Sequence, residues 1–69
     1  MTREQEYLAH DMRDADIEYC EAEAKKLEPW TDEDRRNHNC DDALTFVMRI
    51  VAKQIEHQRG MYCAEMGVE

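Results

Sequence analysis

Residues 43–55, Ala-Leu-Thr-Phe-Val-Met-Arg-Ile-Val-Ala-Lys-Gln-Ile, decide the fold. Ala43, Leu44, Val47, Ile50, Val51 and Ile55 recur at spacings of one, three and four, which gathers side chains on one side of an α-helix. Met48 falls on the flank of this stripe, and Phe46 lies outside its other edge. The pattern predicts a helix over about residues 40–59, with Asn39 or Asp41 as its N-terminal cap. Gly60 is a natural stop, after which Met61, Tyr62 and Met66 suggest an extension to about residue 66.

Working back from this helix, Asn37-His38-Asn39 interrupts the chain. Thr31-Asp32-Glu33-Asp34 and then Arg35-Arg36 place acids before bases, the order that suits the dipole of a short turn or helix over residues 31–37. Glu28-Pro29 closes whatever precedes it, since proline disfavours a helical residue before it and lacks an N–H. Further back there is no Pro or Gly, and Thr2 with Gln5 matches a capping box. The economical expectation is one long helix over about residues 3–27, its continuity through Asp14-Ala15-Asp16 left open. That helix carries two apolar sets. Leu8, Met12, Ala15, Tyr19 and Ala22 form a heptad-like seam, while Ala9, Ile17, Cys20, Ala24 and Leu27 lie about 135° further round. Glu4, Asp11, Asp14, Glu18 and Glu21 fill the remaining side as an acidic stripe.

Two long helices joined by a short turn or helix imply an all-α, single-domain chain folded as an antiparallel helical hairpin. Such a hairpin cannot cover a broad stripe on one helix and two faces on the other. A homodimer forming a four-helix bundle would cover them. Size points the same way: 69 residues sit at the limit below which a single core supplies only about 3–5 kcal/mol.

The net charge of −8 is lopsided: residues 1–34 hold 12 acids against 4 Lys+Arg, whereas residues 35–69 hold 5 of each. The first half repels phosphate backbones and attracts basic partners, which disfavours direct nucleic-acid binding. Three cysteines with no short Cys-x-x-Cys spacing fit a reducing compartment better than a disulfide framework. The opening residues lack a signal-peptide pattern, and the longest uncharged, mainly apolar run, Ala43 to Met48, is too short to cross a bilayer. The expected location is the cytoplasm, with no membrane partner.

No residue pattern makes a catalytic site. A Cys-His nucleophile needs a thiolate held in a cleft, and acidic surroundings raise a thiol's pKa. We therefore expect no enzyme and no cofactor. Cys20, His38, Cys40 and Cys63 could be written as a zinc set, but their spacing matches no common knuckle and Cys20 falls on an apolar face. Trp30 in the bend, Phe46 on the stripe's edge, and Met61, Tyr62 and Met66 near the end are candidate partner contacts, each equally able to serve as core. Asp11, Asp14, Glu18 and Glu21 are the candidate acidic face. Such a row can occupy a groove that normally holds phosphates.

In size, acidity and helical pattern the chain resembles the small acidic helical proteins with which bacteriophages inhibit host factors, of the anti-CRISPR and anti-activator kinds. The resemblance implies a protein partner, a host regulator or nucleic-acid-binding protein, and carries no motif from which site residues follow. In architecture, and in its opening Met1-Thr2-Arg3-Glu4-Gln5, the chain also resembles the plasmid Rop hairpin. Rop-like RNA binding uses basic residues on the first helix, where this chain is acidic.

Overall fold

A computed structural model describes the backbone of residues 1–65 and the side chains of residues 1–60. These residues form four helices and no strand: α1 (Arg3–Ala9), α2 (Asp14–Lys26), α3 (Asp32–His38) and α4 (Ala43–Glu65). The all-helical class is as the sequence implies. The first limb is not.

Where one helix over residues 3–27 is expected, the chain breaks at His10–Arg13 into α1 and α2. The two apolar sets supply the reason. A continuous helix would present them about 135° apart, so only one could face α4. The break re-aims the chain: Leu8, Ala9 and Met12 pack on the core from one side, and Cys20 and Ala24 are buried in it from the other. Arg13 is extended, and its N–H donates to the Asp16 carboxylate at 3.2 Å, so Asp14-Ala15-Asp16 is the acidic first turn of a new helix.

The senses of the helices follow from their contacts. Gln5 meets Asp42 and Thr45 at the start of α4, whereas Asp11 reaches Arg59 far along it, so α1 runs parallel to α4. The chain then reverses. Beyond the end of α2, Trp30 packs on Phe46, back at the start of α4, so α2 is antiparallel to both. The antiparallel hairpin of the sequence reading therefore holds for α2 and α4 alone, with α1 as a third limb on the other flank of α4.

This placement rotates the buried face of α4. Met48, expected at the flank, is wholly buried at the centre, with Ala43, Val47 and Val51 around it. Ile50, expected in the stripe, is 43% exposed. Two helices packing on either side of Met48 leave Ile50 on the outside.

Caps punctuate the elements. Thr2 and Gln5 make the expected capping box. Thr31 and Asp34 make a second one on α3, and the Thr31 N–H holds the Asp34 carboxyl below its ordinary value. The cap of α4 is neither Asn39 nor Asp41. Asp42 Oδ1 accepts the Thr45 N–H at 2.8 Å, while Asn39 ends α3 in the left-handed conformation (φ 55°) that asparagine tolerates.

Candidate protein-docking surfaces

Two polar braces hold α1 against α4, and the sequence reading singled out neither. Gln5 is 4% exposed, and its amide nitrogen donates to both Asp42 carboxylate oxygens and to Thr45 Oγ1, at 3.1–3.3 Å. Its amide oxygen meanwhile accepts the Thr2 N–H at 3.0 Å. One side chain thus caps α1 and joins it to the cap of α4. Arg49 makes the second brace. Its Nε donates to Glu4 Oε1 at 2.7 Å, with Nη2 on the same oxygen, and its Nη1 donates to the Asn39 carbonyl at 2.7 Å. The same Nη1 reaches Cys40 Sγ at 2.9 Å. An arginine set among apolar residues gives little warning in sequence that it ties three segments together.

The cysteines belong to this framework. Cys20 is 0% and Cys40 3% exposed, and burial is the main cause that pushes both thiols above their ordinary pKa. Arg49 opposes the shift at Cys40, and Asp16 adds to it at Cys20. Cys20 sits in the apolar core, whereas Cys40 donates to the His38 carbonyl and accepts from Arg49. The postulated ligands are thus not assembled: among the described residues no three His, Cys, Asp or Glu side chains converge. The Cys63 side chain lies outside the described residues.

Trp30 and Phe46 come together, but as packing. Trp30 lies 5.5 Å from His38 and 5.6 Å from Phe46, and His38 lies 4.3 Å from Phe46, between ring centroids. All three rings sit beside the α3–α4 connection. Trp30 and Phe46 are half-buried against the core, and the Trp30 Nε1–H is buried with no acceptor among the described residues. Both rings pack against the core and keep part of their surface open. Met61 and Tyr62 fall on α4 with side chains outside the described residues, and Met66 lies outside them altogether.

The expected acidic stripe is divided by the break. Glu4 is bound to Arg49, and Asp11, in the connecting turn, faces Arg59 at 3.7 Å. Asp14, Glu18 and Glu21 stay together on the exposed flank of α2, with no cation within ion-pair distance among the described residues.

Grooves run along α4 on several sides, and one of about 400 Å³ is lined by Leu8, His38, Phe46, Arg49, Ile50 and Lys53. Between α1 and α4 a groove of about 420 Å³ has an apolar floor of Leu8, Met12, Ala52 and Ile55. Asp11, Glu56 and Arg59 form its charged rim, and Tyr7 stands over it, 81% exposed. Between α2 and α4 a smaller groove of about 190 Å³ is lined by Tyr19, Glu23, Leu27, Val47, Ile50 and Gln54. Tyr19 is 56% and Leu27 40% exposed there. Tyr7, Tyr19, Leu27 and Ile50 are exposed apolar surface that the sequence reading did not single out as partner contacts, beside Trp30 and Phe46, which it did. The missing signal was the break, which decides which apolar set turns inward.

No helix among the described residues is long and apolar enough to cross a membrane. Comparison with protein-family models, with curated proteins and with solved structures finds no match to this chain.

Proposed function

We propose that this chain is a non-enzymatic protein-binding inhibitor or adaptor whose α1–α4 groove receives an amphipathic helix of another protein. The observation that carries this reading is the groove itself: an apolar floor of Leu8, Met12, Ala52 and Ile55, a charged rim of both signs, and an exposed tyrosine beside it. Exposed tyrosine is a residue type that dominates binding energy when a partner covers it. Helix-in-groove recognition uses apolar anchors for affinity and the rim charges for register. Asp11 and Glu56 would take basic residues on the incoming helix, and Arg59 an acidic one. The resemblance to phage inhibitors makes a host regulator or defence complex the natural target class, in the cytoplasm. The chain acts here as a homodimer, α2 and α4 of two copies forming a four-helix bundle.

A second reading has its own support. Asp14, Glu18 and Glu21 form an exposed acidic flank on α2, which suits a nucleic-acid mimic occupying a basic groove. The two readings separate by salt and by substitution. The tagged protein is used to capture partners from a bacterial lysate, with parallel low- and high-salt washes, alongside Tyr7→Asp and an Asp14→Lys/Glu18→Lys variant. The groove reading expects a partner that survives high salt and is lost with Tyr7→Asp. A partner released by salt and lost with the charge reversal transfers the function to the acidic flank. No partner in either wash overturns both.

A further inference from the structure

We infer that this chain exchanges its first helix with a second copy. The turn at His10–Arg13 straightens, α1 and α2 become one helix, and each α1 takes on the other copy's α4 the seat it holds on its own. The inference deepens the homodimer part of the function proposed above and rests on it.

The seat of α1 is the first observation. α1 packs on α4 and not closely on α2. It is held by the Gln5 amide on Asp42 and Thr45, by Glu4 on the Arg49 guanidinium, and by Leu8 and Ala9 against the core. None of the polar holds involves α2. They can therefore be remade on another copy while α2 keeps its place on its own α4, which is the condition for exchanging an element between identical chains at little loss.

The turn is the second observation, because the chain does so little to break. No Pro or Gly lies between residues 3 and 27. His10 keeps helical dihedrals (φ −54°, ψ −40°), and the Met12 N–H still donates to the Ala9 carbonyl at 2.9 Å. Arg13 departs from the helix, extended at φ −85° and ψ 162°. Its N–H is held there by the Asp16 carboxylate at 3.2 Å, an exposed bond. A helix end leaves N–H or C=O groups without helical partners, and a continuous helix through the turn pairs those of both ends. It also joins helices of 7 and 13 residues, each marginal alone, into one long enough to hold its own.

Two copies remove the reason for the break. Leu8 and Met12 lie on a different face of a straight helix from Cys20 and Ala24, and one chain has a single α4 for both. Two chains supply one α4 for each face. The senses agree as well. α2 is antiparallel to its own α4, and α1 is parallel to the α4 on which it sits. A straight α1–α2 helix therefore sets the two α4 helices antiparallel, as a two-fold axis across them requires. Two straight helices and two α4 helices make a four-helix bundle. The α1–α4 groove is then rebuilt between chains, with Tyr7 and Leu8 from one copy and Ala52 and Ile55 from the other.

The closed chain holds in dilute solution, and exchange sets in by mass action as concentration rises. Sedimentation equilibrium of the purified full chain over a range of concentrations tests this, together with spin-label distances between copies labelled at Arg3 and copies labelled at Asp41. The mass should rise from the 8.2 kDa of one chain to twice that. The dimer should show a short Arg3–Asp41 distance between copies, because residue 3 of one chain then lies beside the start of the other's α4. Asp14→Pro fits the break, since proline suits a first helical position after an extended residue, and it forbids the straight helix. It should hold the chain at one mass at concentrations where the wild type is a dimer. Asp16→Ala removes the acceptor that holds Arg13. It should lower the concentration of half-dimerisation about tenfold or more, one cap being given up at each of two turns. Should Asp14→Pro lose its helicity, the Asp16→Ala shift decides alone, and no shift overturns the exchange. One mass at all concentrations, in wild type and Asp16→Ala alike, overturns both this inference and the homodimer reading. A dimer that Asp14→Pro leaves intact, with no short distance between copies, overturns the exchange alone.

Discussion

At the scale of single residues, burial decides chemistry more than residue type does. The same thiol that in an exposed setting would invite metal or oxidation is, in Cys20, a piece of core. Its ordinary pKa of 9.0 is raised first by desolvation and then by Asp16; Cys40 is raised first by desolvation, against the pull of Arg49. The sign of the linkage follows. In the unfolded chain both thiols ionise from about pH 9, whereas in the folded chain they stay protonated to higher pH. The stabilisation is therefore fully present below pH 9 and is lost as pH rises through the folded values. The urea midpoint should fall between pH 8.5 and 10, and fall less in Cys20→Ala. Both thiols should also react far more slowly with a disulfide reagent at pH 8 than in the denatured chain. Equal rates in the two states would show that neither is shielded. Most of this was legible from the sequence, because Cys20 lies at helical spacing with Ala24 and Ile17. Arg49 was not legible, since its partners Glu4 and Asn39 are brought to it only by the fold.

At the scale of elements, the caps and the break do the organising. The Thr2–Gln5 box could be read directly because it is local in sequence, three residues from end to end. The start of α4 could not, because three neighbouring polar residues all qualify as caps. The choice of Asp42 over Asn39 and Asp41 comes from Gln5, which meets Asp42 from a helix 37 residues away in sequence. Asp42→Ala should cost about 1–2 kcal/mol, the value of an N-cap, as read by thermal denaturation. Asp41→Ala, at an exposed position, should stay within about 0.5 kcal/mol. Equal effects would mean that the cap is shared. The break at His10–Arg13 was hidden for a related reason. Nothing in those four residues forbids a helix, and the chain turns there because two apolar faces compete for one partner.

At the scale of the whole molecule, the fold-back of α1 and α2 changes how far apart the ends of the first limb stand. A continuous helix from residue 3 to 28 would separate them by about 37 Å, at 1.5 Å per residue. With Gln5 on Asp42 and Trp30 on Phe46, both ends lie beside the first turns of α4. Spin labels at Arg3 and Glu28 should therefore report roughly half the distance of a straight helix; a value near the full length would restore the single long helix. The helical class and the bend at Pro29 were legible because periodicity and proline act locally. The three-limbed arrangement was not, since it depends on contacts spanning some 40 residues, such as Gln5 with Thr45.

Those spans set an order of events during synthesis. α1 and α2 both rest on α4, and within residues 1–42 the two do not pack closely on each other. Residues 1–42 therefore wait for α4 before their apolar side chains have a surface within this chain to settle on. An isolated helix of 7 or 13 residues is marginal in water, so the nascent acidic half stays fluid until the last third arrives. Its net negative charge then serves a purpose before any fold exists: it keeps the waiting chain dissolved.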